Sequence, residues 1–494
     1  MNNLRKTTAL LLTILILVVS QALLSQDLEF DVQEHILDNG LKILVLERHH
    51  SPTFSVYIYY PVGSVNEVTN HTGVSHFIEH MMFKGTKTLC TTNFEAEVSL
   101  MKAKDELYKQ ISEEYKKPNP DETKLRELTT KVQELETKHR EYIVSNETDK
   151  IYAAAGGTNM NAGTSNDYTC YYLSLPKNKL ELWCAIESDI MSGPVFREFY
   201  AERAVITEER RMTVEDEPGG VLYEQLIAAA YTTHPYGISV IGSMADIQNY
   251  TREYVEEYRR KYYAPNRAII TIVGDVDSEM IFEMIDRYFG DIPRQPDPPN
   301  VTAEEPPQRG ERRVEVEFDA SPQIGIAFHK TDMTHPDQAV FDVLSEILSS
   351  GRTSRLYRKL VEEEQIAVSV YSGTPDSKYP GLYYIFAVPR APHTVAEVEK
   401  SIYDEIEKFK VEEVTDWELQ RAKNRLTAGF IMDLKSNDGL ASSLGYHEAL
   451  DSWEFMAGLL DRWNAVTAED IQRVVKEYLV KSNRTVAWIS RVQQ

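Results

Sequence analysis

The sequence predicts an α+β protein built from two related α/β domains. Three observations lead there. Strand-like runs such as Ser55–Tyr60 and Gly381–Val388 alternate with long helical stretches in both halves, a pattern that packs helices on a sheet. Six prolines fall between positions 293 and 307; proline suits neither helix interiors nor central strands, so 293–310 reads as an extended connector between 27–292 and 311–494. Both halves also close alike. Thr251–Tyr258 leads through Tyr262 to Asn266-Arg267 and Ala268–Ile272. Thr467–Ile471 leads through Tyr478 to Asn483-Arg484 and Thr485–Ile489. Each is a capped amphipathic helix, an Asn-Arg pair and a β-rich strand, which points to an internal duplication.

Residues 94–146 interrupt the first half. They are rich in Glu and Lys. Leu125, Leu128, Val132, Leu135, His139 and Tyr142 follow a 3-4 spacing that suits one partner helix. Leu100, Ala103, Leu107 and Ile111 supply a facing stripe, Pro118-Asn119-Pro120 forces a turn, and Asp121 can cap the return helix. The expectation is a projecting helical hairpin, either a solvated spacer or a docking surface.

The chain carries 53 Lys+Arg against 77 Asp+Glu, a net charge of −24. That balance argues against nucleic acid as the partner, which needs a basic face. Arg5 and Lys6 precede an apolar run from Ala9 to Val19, which reads as a signal peptide over 1–25; an uncleaved anchor is the alternative. The run is short of the roughly 20 residues of a membrane span. The expected location is therefore the periplasm or cell envelope, with no stable membrane span after cleavage. Cys90, Cys170 and Cys184 are too few for a disulfide scaffold.

The chemistry centres on His76-Phe77-Ile78-Glu79-His80. On a helix, positions i and i+4 share a face, so both imidazoles can reach one metal. Glu79 stands on the same side, within reach of a metal-bound water. A catalytic zinc site takes nitrogen and carboxylate ligands and keeps one position for water, whose lowered pKa lets a carboxylate accept its proton. A third ligand is needed. The helical stretch from Glu202 to Met212 offers Glu202, Glu208 and Glu209, and spacing does not choose among them.

Gly73–Thr86, with Gly63-Ser64 before it, resembles the zinc-binding segment of the pitrilysin/insulinase family of metallopeptidases, whose inverted motif it carries. The likeness continues through Gly156-Gly157, Asn161–Thr164, Asp167–Thr169, Glu202–Met212, His234-Pro235-Tyr236 and Asn266-Arg267, and more weakly through Gly351–Leu356 to the C-terminus. It implies two homologous domains with helices on a mostly antiparallel sheet, together half of a clamshell. It implies one zinc per chain, held by His76, His80 and Glu209, with Glu79 as general base and Glu202 supporting the site. Asn161 and Ala162 would lie on an edge strand that pairs with a peptide substrate. The expected function is an exported zinc endopeptidase acting on peptides or unfolded segments. The alternative is a non-catalytic structural or processing-complex subunit of the same fold.

Two departures from the family stand out. The interval from His80 to Glu209 is long, which the hairpin accounts for. The Arg and Tyr that complete catalytic members, seven residues apart before a strand, are matched here by Val361 and Val368, neither of which can donate to an oxyanion. Tyr371 is a possible substitute, expected on the opposite strand phase to Val368. The resemblance thus implies a homologous partner subunit that supplies the pair, or a homodimer.

Overall fold

The computed structural model describes residues 30–491; the expected signal segment 1–25 lies outside them. The N-terminal half runs β1 (Val32–Ile36), β2 (Lys42–Glu47), β3 (Thr53–Tyr60), α1 (Val74–Met82), α2 (Phe94–Tyr115), α3 (Glu122–Arg140), α4 (Glu147–Ala154), β4 (Thr158–Thr164), β5 (Thr169–Pro176), α5 (Leu180–Ser192), α6 (Phe199–Arg210), α7 (Pro218–Ala230), α8 (Met244–Asn249), α9 (Arg252–Tyr262), β6 (Ile269–Gly274) and α10 (Ser278–Phe289). The C-terminal half runs β7 (Arg312–Phe318), β8 (Gln323–His329), α11 (Asp337–Leu348), β9 (Ala367–Gly373), β10 (Leu382–Pro389), α12 (Val395–Val411), α13 (Asp416–Asp433), α14 (Asn437–Leu450), α15 (Glu454–Ala457), α16 (Leu459–Ala465), α17 (Ala468–Tyr478) and β11 (Arg484–Arg491).

The strands form two sheets, β1-β2-β6-β3-β5-β4 and β7-β11-β8-β10-β9. Without β1, the orders correspond strand for strand. In each sheet one pair is parallel, β2 with β6 and β7 with β11, and every other pair is antiparallel. Shared order and shared polarity bear out the duplication. The repeated Asn-Arg pairs stand where a 3-10 turn leads into the matching strands: Asn266 and Arg267 within the turn before β6, Asn483 ending the turn and Arg484 opening β11.

The halves exchange helices. α14 lies across β3 and β6 of the first sheet, while α7 lies across β7, β8 and β11 of the second. With α14 on one face and the N-terminal core on the other, β3 is buried from Phe54 to Tyr60. Gly445 makes this approach possible: a Cβ there would stand 2.3 Å from Tyr59 Cδ2. Between the halves, residues 293–310 form neither helix nor strand. Glu305 in this segment accepts from the backbone N–H groups of Thr232, Thr233 and His234.

α2 and α3 pack together as the expected hairpin. Asn93 and Asp121 accept backbone N–H bonds at their N-termini. Leu125, Leu128, Val132 and His139 are buried. The facing stripe differs from expectation. Leu100, Ala103, Leu107 and Ile111 are only half-buried, and the deepest positions of α2 are Glu97, Met101, Lys104 and Glu114. A hydrogen bond and an ion pair replace part of the apolar seam. Lys104 Nζ stands 2.9 Å from His139 Nδ1, and Glu97 pairs at 3.0 Å with Arg197, both fully buried. All three cysteines are buried and free.

Candidate active site

α1 owes its placement to a glycine and a carboxylate. Gly73 starts the helix at φ 87°, and a Cβ there would meet the Ile241 carbonyl oxygen at 2.2 Å, so only glycine fits. Glu67 accepts from Gly73 N at 2.6 Å and from Ser75 N at 2.8 Å, satisfying two of the open N–H groups of a helix N-terminus. Val74, Phe77, Ile78 and Met81 are buried in the core. His76, Glu79 and His80 therefore leave by the opposite side, as 3.6-residue periodicity requires.

α6 passes this face. His76 Nε2 lies 3.6 Å from one carboxylate oxygen of Glu209, and His80 Nε2 lies 3.6 Å from the other. One ligand atom from each of the three residues falls within 4.8 Å of the others. Around one zinc at ~2.0–2.2 Å, tetrahedral donors stand roughly 3.3–3.6 Å apart; each imidazole meets a Glu209 oxygen at the upper end of that range, and two imidazoles with one carboxylate are donors that zinc accepts. The other glutamates of α6 point elsewhere. Glu202 accepts from His80 Nδ1 at 2.9 Å and from Lys84 Nζ at 2.6 Å. Glu208 is exposed and pairs with Arg211.

Glu79 is held by β4, where Thr164 Oγ1 donates to its Oε2 at 2.6 Å. Burial raises the Glu79 carboxyl above its ordinary value. Burial, with the neighbouring His80, pushes His76 down to about 4, which keeps its imidazole neutral and able to ligate. Burial also opposes charge on His80, but the bond to Glu202 and the carboxylates of Glu202, Glu209 and Glu79 outweigh it, and its pKa rises.

β4 is an edge strand of its sheet and, among the described residues, pairs with β5 alone. Asn161 and Ala162 sit on it opposite Tyr172 and Tyr171, and the Asn161 side-chain carbonyl accepts from the Ala162 N–H at 2.9 Å, a contact that an added strand would replace. His234 is buried in its loop, where its Nδ1 accepts from Tyr236 N at 3.3 Å.

The expected phase difference between Val368 and Tyr371 does not hold. The β9–β10 register pairs Ser369 with Val388 and Ala367 with Pro389. Val368 is thus the extra residue of a bulge, which resets the alternation. Both side chains are 57% exposed, and Tyr371 stacks on Phe386 with ring centres 5.2 Å apart. Val361 lies half-buried in a π-helical turn, Tyr357–Glu363.

Sequence reasoning missed four contributors: Glu67, Thr164, Lys84 and Arg197. Arg197 donates to the carbonyls of Lys84, Thr86 and Leu89, tying the loop after α1 to the hairpin. A carboxylate six residues before a helix start is no capping-box spacing, so Glu67 left no local signal.

Comparisons with known proteins agree with this architecture. The family described as "Insulinase (Peptidase family M16)" matches residues 42–112 and 135–244, and "Peptidase M16 inactive domain" matches 249–426. The gap between the first two segments falls within the hairpin. The chain is 26% identical over 461 residues to "Zinc protease PqqE" of Helicobacter pylori, covering 92% of this chain and 91% of that protein. It is 23% identical to "Probable mitochondrial-processing peptidase subunit beta, mitochondrial" of Arabidopsis thaliana, covering 92% and 78%. Among solved structures, a protease from Helicobacter pylori superposes with a TM-score of 0.80 at 26% identity, covering 94% of this chain and all of that one. The periplasmic protease PqqL from Escherichia coli superposes at 0.69 and 18% identity, over 94% of this chain but 48% of PqqL.

Proposed function

The chain belongs to peptidase family M16, the insulinase family, and from that premise we propose that it is an exported zinc metalloendopeptidase acting on peptides or unfolded segments. The observation that carries the reading is the convergence of His76, His80 and Glu209 beside an edge strand. The names of the zinc-protease relatives support the metal. In this reading 27–292 and 311–494 are its two domains, joined by 293–310.

His76, His80 and Glu209 would hold one zinc, which when bound supplies a water with a pKa lowered toward ~7. Thr164 occupies Oε2 of Glu79 and leaves Oε1 to take a proton. Glu79 then passes that proton to the leaving amine nitrogen. Glu202 keeps the His80 ring turned by accepting at Nδ1, a positioning role. Asn161 and Ala162 would hold the substrate backbone as an added strand.

Val361 and Val368 leave the chain without an Arg/Tyr pair. We therefore read it as the zinc-bearing subunit of a heterodimer with a homologue, a homodimer being the other arrangement. That the chain matches the first half of PqqL with a TM-score of 0.67 fits half of an enclosing peptidase. Among the described residues no helix is long and apolar enough to cross a membrane. A second reading, a non-catalytic subunit of the same fold, draws on the same two valines.

The test is zinc content and peptide cleavage by wild type and Glu79→Gln, each alone and co-expressed with a homologue. Zinc retained with cleavage lost in E79Q supports the base role. Full cleavage by the lone chain refutes the need for a partner. Zinc retained with no cleavage in any combination favours the non-catalytic reading.

A further inference from the structure

β4 is not a regular strand. Thr158 pairs opposite Ser174 and Asn161 opposite Tyr172, so Asn159 and Met160 together oppose Leu173. That is a β-bulge, and Asn159 in it stands at φ 56°. Asparagine tolerates this left-handed region better than most residues. Beyond the bulge, Asn161–Thr164 pair in unbroken register with Tyr172, Tyr171, Cys170 and Thr169, and Thr164 holds Glu79. A bulge interrupts the even spacing of the outward N–H and C=O groups. An added strand can therefore follow β4 only along Asn161–Thr164.

The C-terminal half holds β4 at both ends. At the bulge, Asn159 Nδ2 donates to Asp438 Oδ1 at 3.0 Å, and the buried Tyr57 of β3 donates to the same oxygen at 3.1 Å. Tyr57 stacks on Tyr172 with ring centres 4.7 Å apart, and Tyr172 is the residue opposite Asn161. Asp438 lies in the first turn of α14, yet that helix is capped by another residue: Ser436 Oγ accepts from Gly439 N at 2.8 Å. At the other end, Asp167 ties down the turn after Thr164. It accepts from Tyr236 Oη at 2.6 Å and from Lys378 N at 3.2 Å, and Tyr379 N donates to the Tyr236 oxygen at 3.2 Å. Lys378 and Tyr379 belong to the β9–β10 connection of the second sheet.

We propose that Asp438 is a positioning residue for the peptide-binding strand. It fixes the bulge at Asn159, and so sets where an added peptide starts to pair and which of its bonds lies over Glu79. The proposal rests on the peptidase reading above and deepens it. The substrate class is a peptide able to run extended along Asn161–Thr164 and recognised there through its backbone. A one-residue slip of such a strand turns every side chain to the other face, so an anchored register decides which bond is presented. Thr164 and Glu79 stay anchored by Asp167, at the end of β4 away from Asp438.

The test uses the full-length zinc-loaded protein, with its partner if one is required. Cleavage is first read on fluorescein-labelled casein. The best-cut peptide is then remade with one backbone N-methyl group at each position in turn. Binding is measured by fluorescence anisotropy on Glu79→Gln, which needs no turnover. N-methylation should weaken binding only within a stretch of about four residues beside the cut bond. Asp438→Ala should weaken binding and raise KM about tenfold, change kcat by less than roughly threefold, spread the N-methyl footprint and leave zinc content unchanged. Asp438→Asn keeps an oxygen for Asn159 and Tyr57, and should restore binding to within roughly twofold. Asn159→Gly keeps the positive φ and loses the donor. It should act in the same direction, and it serves in place of D438A if that variant fails to fold. Wild-type binding and an unmoved footprint in the folded variants, whatever their melting temperatures, overturn the positioning role and leave the peptidase reading standing. A protein that holds zinc yet neither binds nor cuts casein overturns both.

Discussion

His80 differs from His76 in one respect that matters for a metal. Its Nδ1 is bonded to Glu202, whereas Nδ1 of His76 is buried without a partner. A carboxylate on the far nitrogen sets the tautomer and strengthens the ligand. Glu202 is itself held by Lys84 at 2.6 Å, so its position does not depend on the metal. Glu202→Gln should therefore lower zinc affinity by about 10–100-fold while leaving the melting temperature of the zinc-free protein nearly unchanged. Chelator competition reads this directly; a loss smaller than about twofold would remove the positioning role from Glu202.

At the scale of elements, the hairpin is rooted in the same network. Arg197 joins Glu97 of α2 to the loop that follows α1. Both partners are fully buried, so removing one strands a charge. Arg197→Met should destabilise by ~3–5 kcal/mol, measured by urea denaturation. A double variant with Glu97→Met should recover part of that loss; no recovery would argue against the pair. Helix α13 gives a pH dependence. Glu418 closes its N-terminal capping box on Thr415 and accepts two bonds from Arg355, at 2.7 and 3.0 Å. Burial opposes its charge, yet Arg355 and Thr415 prevail and hold the carboxyl at about 2 against an ordinary 4.5. A lowered folded pKa gives stability that is present above pH 4.5 and is lost as pH falls toward 2. Glu418→Gln should flatten the decline of the urea midpoint across that window. Parallel curves for the two proteins would count against this assignment.

For the whole molecule, the exchange of α7 and α14 makes each sheet the floor for a helix of the other half. Gly445 is a point of close approach in that contact. Gly445→Ala sets a methyl 2.3 Å from the Tyr59 ring and should cost about 1–3 kcal/mol in overpacking, with both halves melting together at a lower temperature. A separate early transition of one half would show that the helix exchange does not couple them. The bulge at Val368 acts at this scale too. It turns Val368 and Tyr371 outward together on the edge strand of the second sheet, the matching edge to β4 of the first.

Periodicity and punctuation in the sequence determined the two α/β halves, the hairpin and the helix that turns His76, Glu79 and His80 to one side, because these follow from spacing along a single element. Local order could not choose among Glu202, Glu208 and Glu209. All three lie within two turns of one helix, and only the crossing of α6 over α1 decides which carboxylate meets which imidazole nitrogen. The polar seam of α2 was hidden for a similar reason: Arg197, which neutralises Glu97, lies 100 residues further along the chain. Tertiary structure alone also decided the capping of α1 by Glu67 and the hold of Thr164 on Glu79, since each needs groups separated in sequence to meet at hydrogen-bond range.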